Sequence, residues 1–126
     1  MTLQEFIDEL DLTLLTEARD FSRVIPVSGY ASDLLSCVMA RAQAQSLWVT
    51  LQTHANIVAV AALLDLSAVI ITEGGRPDQE TIAKANEEGV TLLSTEKSTF
   101  YVAGRLWELG LREVAPEGVE DRAAEQ

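Results

Sequence analysis

Hydrophobic positions in this chain alternate between two periods. At the start, Leu3, Phe6, Ile7 and Leu10 recur at i, i+3, i+4 and i+7, behind a Thr2-Leu3-Gln4-Glu5 capping box. That pattern predicts a short amphipathic helix over about 2–10. Leu12 to Leu15 reads as a strand of its own. Short runs rich in β-branched or large apolar residues then begin at Arg23 (RVIPVS), Leu47 (LWVTLQ), Ala68 (AVIIT) and Val90 (VTLLS), about 22 residues apart. Helical segments fill the gaps. One is capped by Ser32 or Asp33 and runs to about Ala44, burying Leu34, Leu35, Val38 and Ala42. Another runs from Asn56 to Leu64 and is apolar on nearly every side. A third starts at Asp78 behind Pro77 and is closed by Gly89. The last is expected to be capped by Thr99, to bury Phe100, Ala103, Leu106 and Trp107, and to stop at Gly110.

Strands alternating with helices over short joints imply a parallel sheet. Continuous apolar strands such as AVIIT fit a sheet covered on both faces. The expected fold class is therefore α/β: a layered α/β/α domain over residues 1–112, with a mostly parallel sheet of four to five strands. From residue 113 onward, Pro, Gly, Ala and charge dominate, and 113–126 is expected to be an acidic flexible tail.

Charge changes this picture mainly by exclusion. The chain carries a formal −11 at pH 7, from 20 acids against 9 Lys and Arg. Residues 1–20 hold six acids and one Arg, and 113–126 hold five acids and one Arg, so the body of the domain is nearly neutral. Nucleic acid binds through clustered bases, and so it is not an expected partner. The longest apolar run, Ile57 to Leu64, falls far short of the roughly 20 residues a membrane span requires. The acidic opening of the chain does not read as a secretory signal, so membrane attachment is not expected and the expected location is cytoplasmic. One cysteine, Cys37, and one histidine, His54, leave little from which to build a zinc site or a disulfide. Neither Gly-x-x-x-x-Gly-Lys-Ser/Thr nor Gly-x-Gly-x-x-Gly occurs. No cofactor is implied. Asp33 and His54, the nearest things to catalytic candidates, lack a nucleophile and an orienting partner, and no enzyme is expected.

In open α/β sheets ligands bind outside the carboxyl ends of the strands. Those ends are expected at Ser28-Gly29-Tyr30, Gln52-Thr53-His54, Thr72-Glu73-Gly74-Gly75-Arg76 and Ser94-Thr95-Glu96-Lys97. Each supplies a hydroxyl and leads to a helix start with unpaired N–H groups, which favours anions. Gly74-Gly75 permits close backbone approach, and Arg76 and Lys97 add positive charge on the same rim. The candidate ligand-binding set is Ser28, Gly29, Asp33, Thr53, His54, Asn56, Thr72, Gly74, Gly75, Arg76, Thr95 and Lys97. The same residue types serve equally as turn and cap residues of such a fold. Ala55, Ala59 and Ala62 form a small-residue stripe on the all-apolar Asn56–Leu64 helix, which either another helix of the domain or a second copy must cover; a homodimer is the expected solution.

Gly29-Tyr30-Ala31-Ser32-Asp33-Leu34-Leu35-Ser36, then Gln52-Thr53-His54-Ala55-Asn56, Ala68 to Thr72, Gly74-Gly75 and Leu93-Ser94-Thr95, resemble the DRTGG domain family over about residues 23–110. The resemblance implies a fold like the N-terminal domain of HPr kinase/phosphorylase. It also implies a dimerising, regulatory module, with an adenine nucleotide as one ligand class. A partner enzyme, such as a hydrogenase-associated system of anaerobic bacteria, is the corresponding implied partner. In this chain the family's Thr-Gly-Gly turn is lengthened to Thr72-Glu73-Gly74-Gly75, which places a carboxylate in the loop.

Overall fold

The computed structural model describes residues 1–113, so the expected tail lies outside the described residues but for Glu113. Helix α1 (Leu3–Leu10) forms on the capping box read from the sequence. Glu5 N–H donates to the Thr2 hydroxyl at 3.2 Å, and the Glu5 carboxylate accepts the Thr2 N–H at 2.9 Å. Strand β1 (Thr13–Leu14) follows, then a single 3₁₀ turn at Phe21–Arg23. The remaining elements alternate: β2 (Gly29–Ala31), α2 (Leu35–Arg41), β3 (Leu47–Thr50), α3 (Asn56–Leu64), β4 (Ala68–Ile71), α4 (Gln79–Glu88), β5 (Leu92–Ser94) and α5 (Thr99–Glu108).

The five strands form one sheet in the order β1-β5-β4-β3-β2, parallel throughout except for β1, which pairs antiparallel with β5. The pleat sends alternate side chains to opposite faces. Leu47, Val49, Ala68, Ile70 and Leu93 join α1 and α5 in one core. Trp48, Val69, Ile71 and Leu92 join α2, α3 and α4 in the other. Three layers result. Trp48 is completely buried, and its indole N–H is satisfied by the Ser32 carbonyl at 2.9 Å. Truncating such a side chain to alanine costs about 3–5 kcal/mol.

Three expectations are corrected. The RVIPVS run is not a strand. Pro26 has no N–H to give a ladder, Ile25 and Val27 are exposed, and pairing with β3 starts only at Gly29, opposite Leu47. Helix α5 is capped by Ser98 and not Thr99, through the Tyr101 N–H at 3.1 Å. Its buried face is Val102 and Leu106, whereas Phe100 is 91% and Trp107 56% exposed. Helix α2 is also shorter than expected. It starts at Leu35 and ends at Arg41, and Leu34, expected in the core, is exposed at its N-cap.

From β2 to β5 the chain steps one strand at a time in a single direction, so all three connecting helices fall on one face. The strand order of this parallel run never reverses. A crevice in an open α/β sheet opens where the connections leaving neighbouring strands diverge to opposite faces, and here that point lies between β4, which leads to α4 on one face, and β5, which leads to α5 on the other.

Candidate functional site

The carboxyl tips of β3, β4 and β5 do share one rim, and most of their polar groups bond to one another. At the tip of β3 the Thr50 hydroxyl, fully buried, donates to Asp33 Oδ1 at 2.8 Å, and the Leu51 N–H donates to the same oxygen at 2.8 Å. The Gln52 side-chain amide reaches back to the Asp33 carbonyl at 3.0 Å. Asp33 therefore ties the joint after β2 to the tip of β3.

At the tip of β4, Thr72 has no exposed surface. Its hydroxyl lies 2.6 Å from that of Thr99, and its N–H donates to the Thr50 carbonyl at 2.9 Å. Glu73 takes the left-handed conformation (φ 61°) and folds its carboxylate onto the Thr99 N–H at 2.8 Å, giving α5 a second cap. The amides of the loop are consumed in the same way. Glu73 N–H donates to the Lys97 carbonyl (2.8 Å), Gly74 N–H to the Thr95 carbonyl (3.0 Å), and Gly75 N–H to the Thr72 carbonyl (3.1 Å). Gly74 needs its glycine for a φ of 73°. At Gly75 the reason is space, since a Cβ would come 3.0 Å from Thr53 Cγ2 and 3.1 Å from Ile71 Cγ2. The Thr95 hydroxyl accepts the Lys97 N–H at 3.1 Å.

Of the twelve candidates, the rim gathers Asp33, Thr53, His54, Asn56, Thr72, Gly74, Gly75, Arg76, Thr95 and Lys97. Ser28 and Gly29 are not among them, a correction to their expected place. Gly29 pairs with Leu47, the first residue of β3, which puts both at the amino end of the sheet. Their displacement follows from the misplaced strand at 23–28. His54 precedes the N-cap of α3, Ala55, and its Nδ1 accepts the Asn56 N–H at 3.1 Å.

Beside the rim, a cleft of about 510 Å³ opens between the starts of α3 and α4, and a smaller pocket of about 70 Å³ opens at Gly74, Gly75, Ser94 and Thr95. Gln52, Thr53, His54 and Ala55 line the cleft from the side of α3, and Arg76, Asp78, Glu80, Thr81 and Lys84 line it from the side of α4. Arg76 is exposed and pairs with Glu96 at 3.3 Å, and Lys84 lies 4.0 Å from Glu88. Asp78 caps α4. The Thr81 backbone N–H, at 2.8 Å, lowers its carboxyl below the usual range, the Thr81 side chain adds to this, and His54 contributes least. Asp78, Thr81 and Lys84 were absent from the candidate set, although the Pro77-Asp78 helix start was legible. Among the described residues no three His, Cys, Asp or Glu side chains group as a metal site, and no helix is long and apolar enough to cross a membrane.

A three-layer α/β/α domain whose strand tips are bonded to one another, beside a polar cleft, is the class that the fold and rim define. The sequence model of the DRTGG domain matches residues 5–109, and the chain belongs to the DRTGG domain family. No curated protein matches it. Among solved structures it is similar to the CBS and DRTGG domains of the regulatory region of Clostridium perfringens pyrophosphatase, complexed with the activator diadenosine tetraphosphate. The TM-score is 0.70 at 19% identity over 98% of this chain. This chain spans 58% of that one.

Proposed function

We propose that this chain is a non-catalytic regulatory module, homodimeric, that takes a small anionic or adenine-nucleotide ligand beside the carboxyl rim. The supporting observation is the cleft between α3 and α4, where Arg76, Lys84, Thr53 and Thr81 line one space of about 510 Å³. Its volume lies within the range of small-molecule pockets, roughly 300–1,000 Å³. The loop amides are already bonded, so the ligand's charge falls to Arg76 and Lys84 and not to Gly74 or Gly75. Asp78 and Glu80 line the same cleft, so the two cations there are opposed by two carboxylates. A relative's regulatory region in complex with an adenine dinucleotide supports the same class of ligand. The exposed Ala55, Ala59 and Ala62 on α3, next to an exposed Leu63, are the side a second copy would cover.

Isothermal titration with AMP, ATP and diadenosine tetraphosphate tests the ligand. Binding tighter than about 1 mM, some −4 kcal/mol, is expected for at least one of them and is weakened by Arg76→Ala or Lys84→Ala. No heat from any of the three at millimolar concentration would sink the ligand half of the reading. A second reading, a ligand-free adaptor for a partner enzyme such as a hydrogenase-associated system, is favoured by the self-bonded rim and by the aromatic surface of α5.

A further inference from the structure

The crevice where the connections after β4 and β5 diverge holds one of the chain's own anions. Arg76 and Glu96 line it together with Gly74, Gly75, Ser94 and Thr95. The Glu96 carboxylate lies against Gly74, where a Cβ would fall 2.5 Å from Glu96 Oε2, and Glu96 Oε1 meets the Arg76 guanidinium at 3.3 Å. A carboxylate of the protein thus sits where open α/β sheets receive a ligand.

The backbone on both sides of Glu96 is fixed. The Thr95 and Lys97 carbonyls accept the Gly74 and Glu73 N–H groups at 3.0 and 2.8 Å, and the Thr95 N–H donates to the Ile71 carbonyl at 2.9 Å. The pair with Arg76 therefore forms without ordering a loop that is otherwise free. Arg76 is also the point of contact with the larger cleft. Among the described residues it alone lines both the 70 Å³ crevice and the 510 Å³ cleft between α3 and α4. Its side chain is 79% exposed, so little packing commits it to either. The other acids nearby do not pair with it. Glu73 accepts the Thr99 N–H, Asp78 accepts the Thr81 N–H, and Glu80 lines the cleft without an ion pair among the described residues.

We infer that Glu96 is a built-in competitor for the ligand of the cleft, holding Arg76 at the β4–β5 crevice until the ligand's phosphate takes the guanidinium over. This rests on the proposed ligand cleft and adds the control of its affinity. Removing the competitor tightens the ligand about two- to fivefold, which corresponds to about 0.4–1 kcal/mol, within the range of exposed ion pairs.

The test titrates AMP, ATP and diadenosine tetraphosphate, with adenosine as their uncharged twin, into the ¹⁵N-labelled full chain at low ionic strength. A phosphate ligand that binds is expected to shift the amides of residues 53–55 and, through Arg76, those of Gly74 and Glu96. Glu96→Gln tightens that ligand two- to fivefold and leaves adenosine unchanged. In an Arg76→Ala background the same change gives no gain, because no guanidinium is there to release. Glu96 is 78% exposed, so its neutral isostere keeps the fold.

Equal affinity in the parent and Glu96→Gln, or Gly74 and Glu96 amides that stay unmoved, would overturn the assignment. A gain that persists in Arg76→Ala would do so too, since Glu96 would then act only by repulsion at a distance. Each of these results leaves the cleft itself standing, because a phosphate ligand still binds. If none of the three phosphates binds either the parent or Glu96→Gln, the ligand reading falls, and the competition falls with it.

Discussion

Removing the carboxylate of Asp33 separates a structural tie from a ligand contact. In Asp33→Ala the Thr50 hydroxyl and the Leu51 N–H both lose the oxygen they meet at 2.8 Å. Hydrogen bonds to a charged group contribute about 1.5–3 kcal/mol each, and a buried hydroxyl left without an acceptor costs about 1–3 kcal/mol. Thr50 is fully buried, but its oxygen still accepts the Gln52 N–H at 3.2 Å, and Asp33 itself is exposed, which discounts the sum. A net loss of about 2–3 kcal/mol is expected. In urea, with a slope of about 1–3 kcal/mol/M, that moves the unfolding midpoint down by about 1 M or more at constant slope. Asp33→Asn keeps an acceptor and should cost less than half as much. Thr50→Val combined with Asp33→Ala should show a coupling energy of at least about 0.5 kcal/mol. A midpoint for Asp33→Ala within about 0.2 M of the parent, or strict additivity with Thr50→Val, would refute the tie and return Asp33 to the list of ligand contacts.

Two further outcomes follow from the capping geometry. Glu73→Ala should destabilise by about 0.5–2 kcal/mol and raise hydrogen exchange at the Thr99 and Tyr101 amides, as should Ser98→Ala, because both side chains cap α5. Protection unchanged in both variants would rule that role out. For pH, the Asp78 and Glu5 carboxyls lie below their usual values of 3.8 and 4.5, held there chiefly by the Thr81 and Thr2 backbone N–H groups. Their contribution to stability is complete above those values and is lost as pH falls through the lower folded-state values. Asp78→Asn should therefore flatten the acid limb of the stability profile, and an unchanged limb would contradict it. Tyr30 runs the other way. Burial raises its phenol above 10.0, so its contribution is present below pH 10 and lost as the pH rises through the folded-state value, which Tyr30→Phe should abolish.

The sequence made visible whatever depends on near neighbours. The capping box at Thr2 and Glu5, the Asp78 start and Gly89 stop of α4, and the alternation that yields a parallel sheet are all local signals. It misled where two local signals compete. The apolar beat of RVIPVS outweighed Pro26, and Phe100 and Trp107 on α5 read as core although Val102 and Leu106 face the sheet. The rim was legible as a set of residue types but not as a set of bonds. Thr72 to Thr99 and Asp33 to Thr50 join positions 27 and 17 residues apart, and only the folded chain shows that these hydroxyls are occupied.

The pairing of β1 with β5 also sets an order of events. Thr13 lies opposite Ser94, and α5 shares the core of α1, so within this domain elements made early are completed by elements made late. While β2 to β4 assemble one after another, Leu3, Phe6 and Leu10 still lack Val102 and Leu106 of α5 in their core, and the free side of β5 stays unblocked until β1 returns to it. Long-range closure of this kind slows folding and prolongs the interval in which sticky surface is bare. Nascent chains halted before α5 should therefore be the ones that chaperones hold longest.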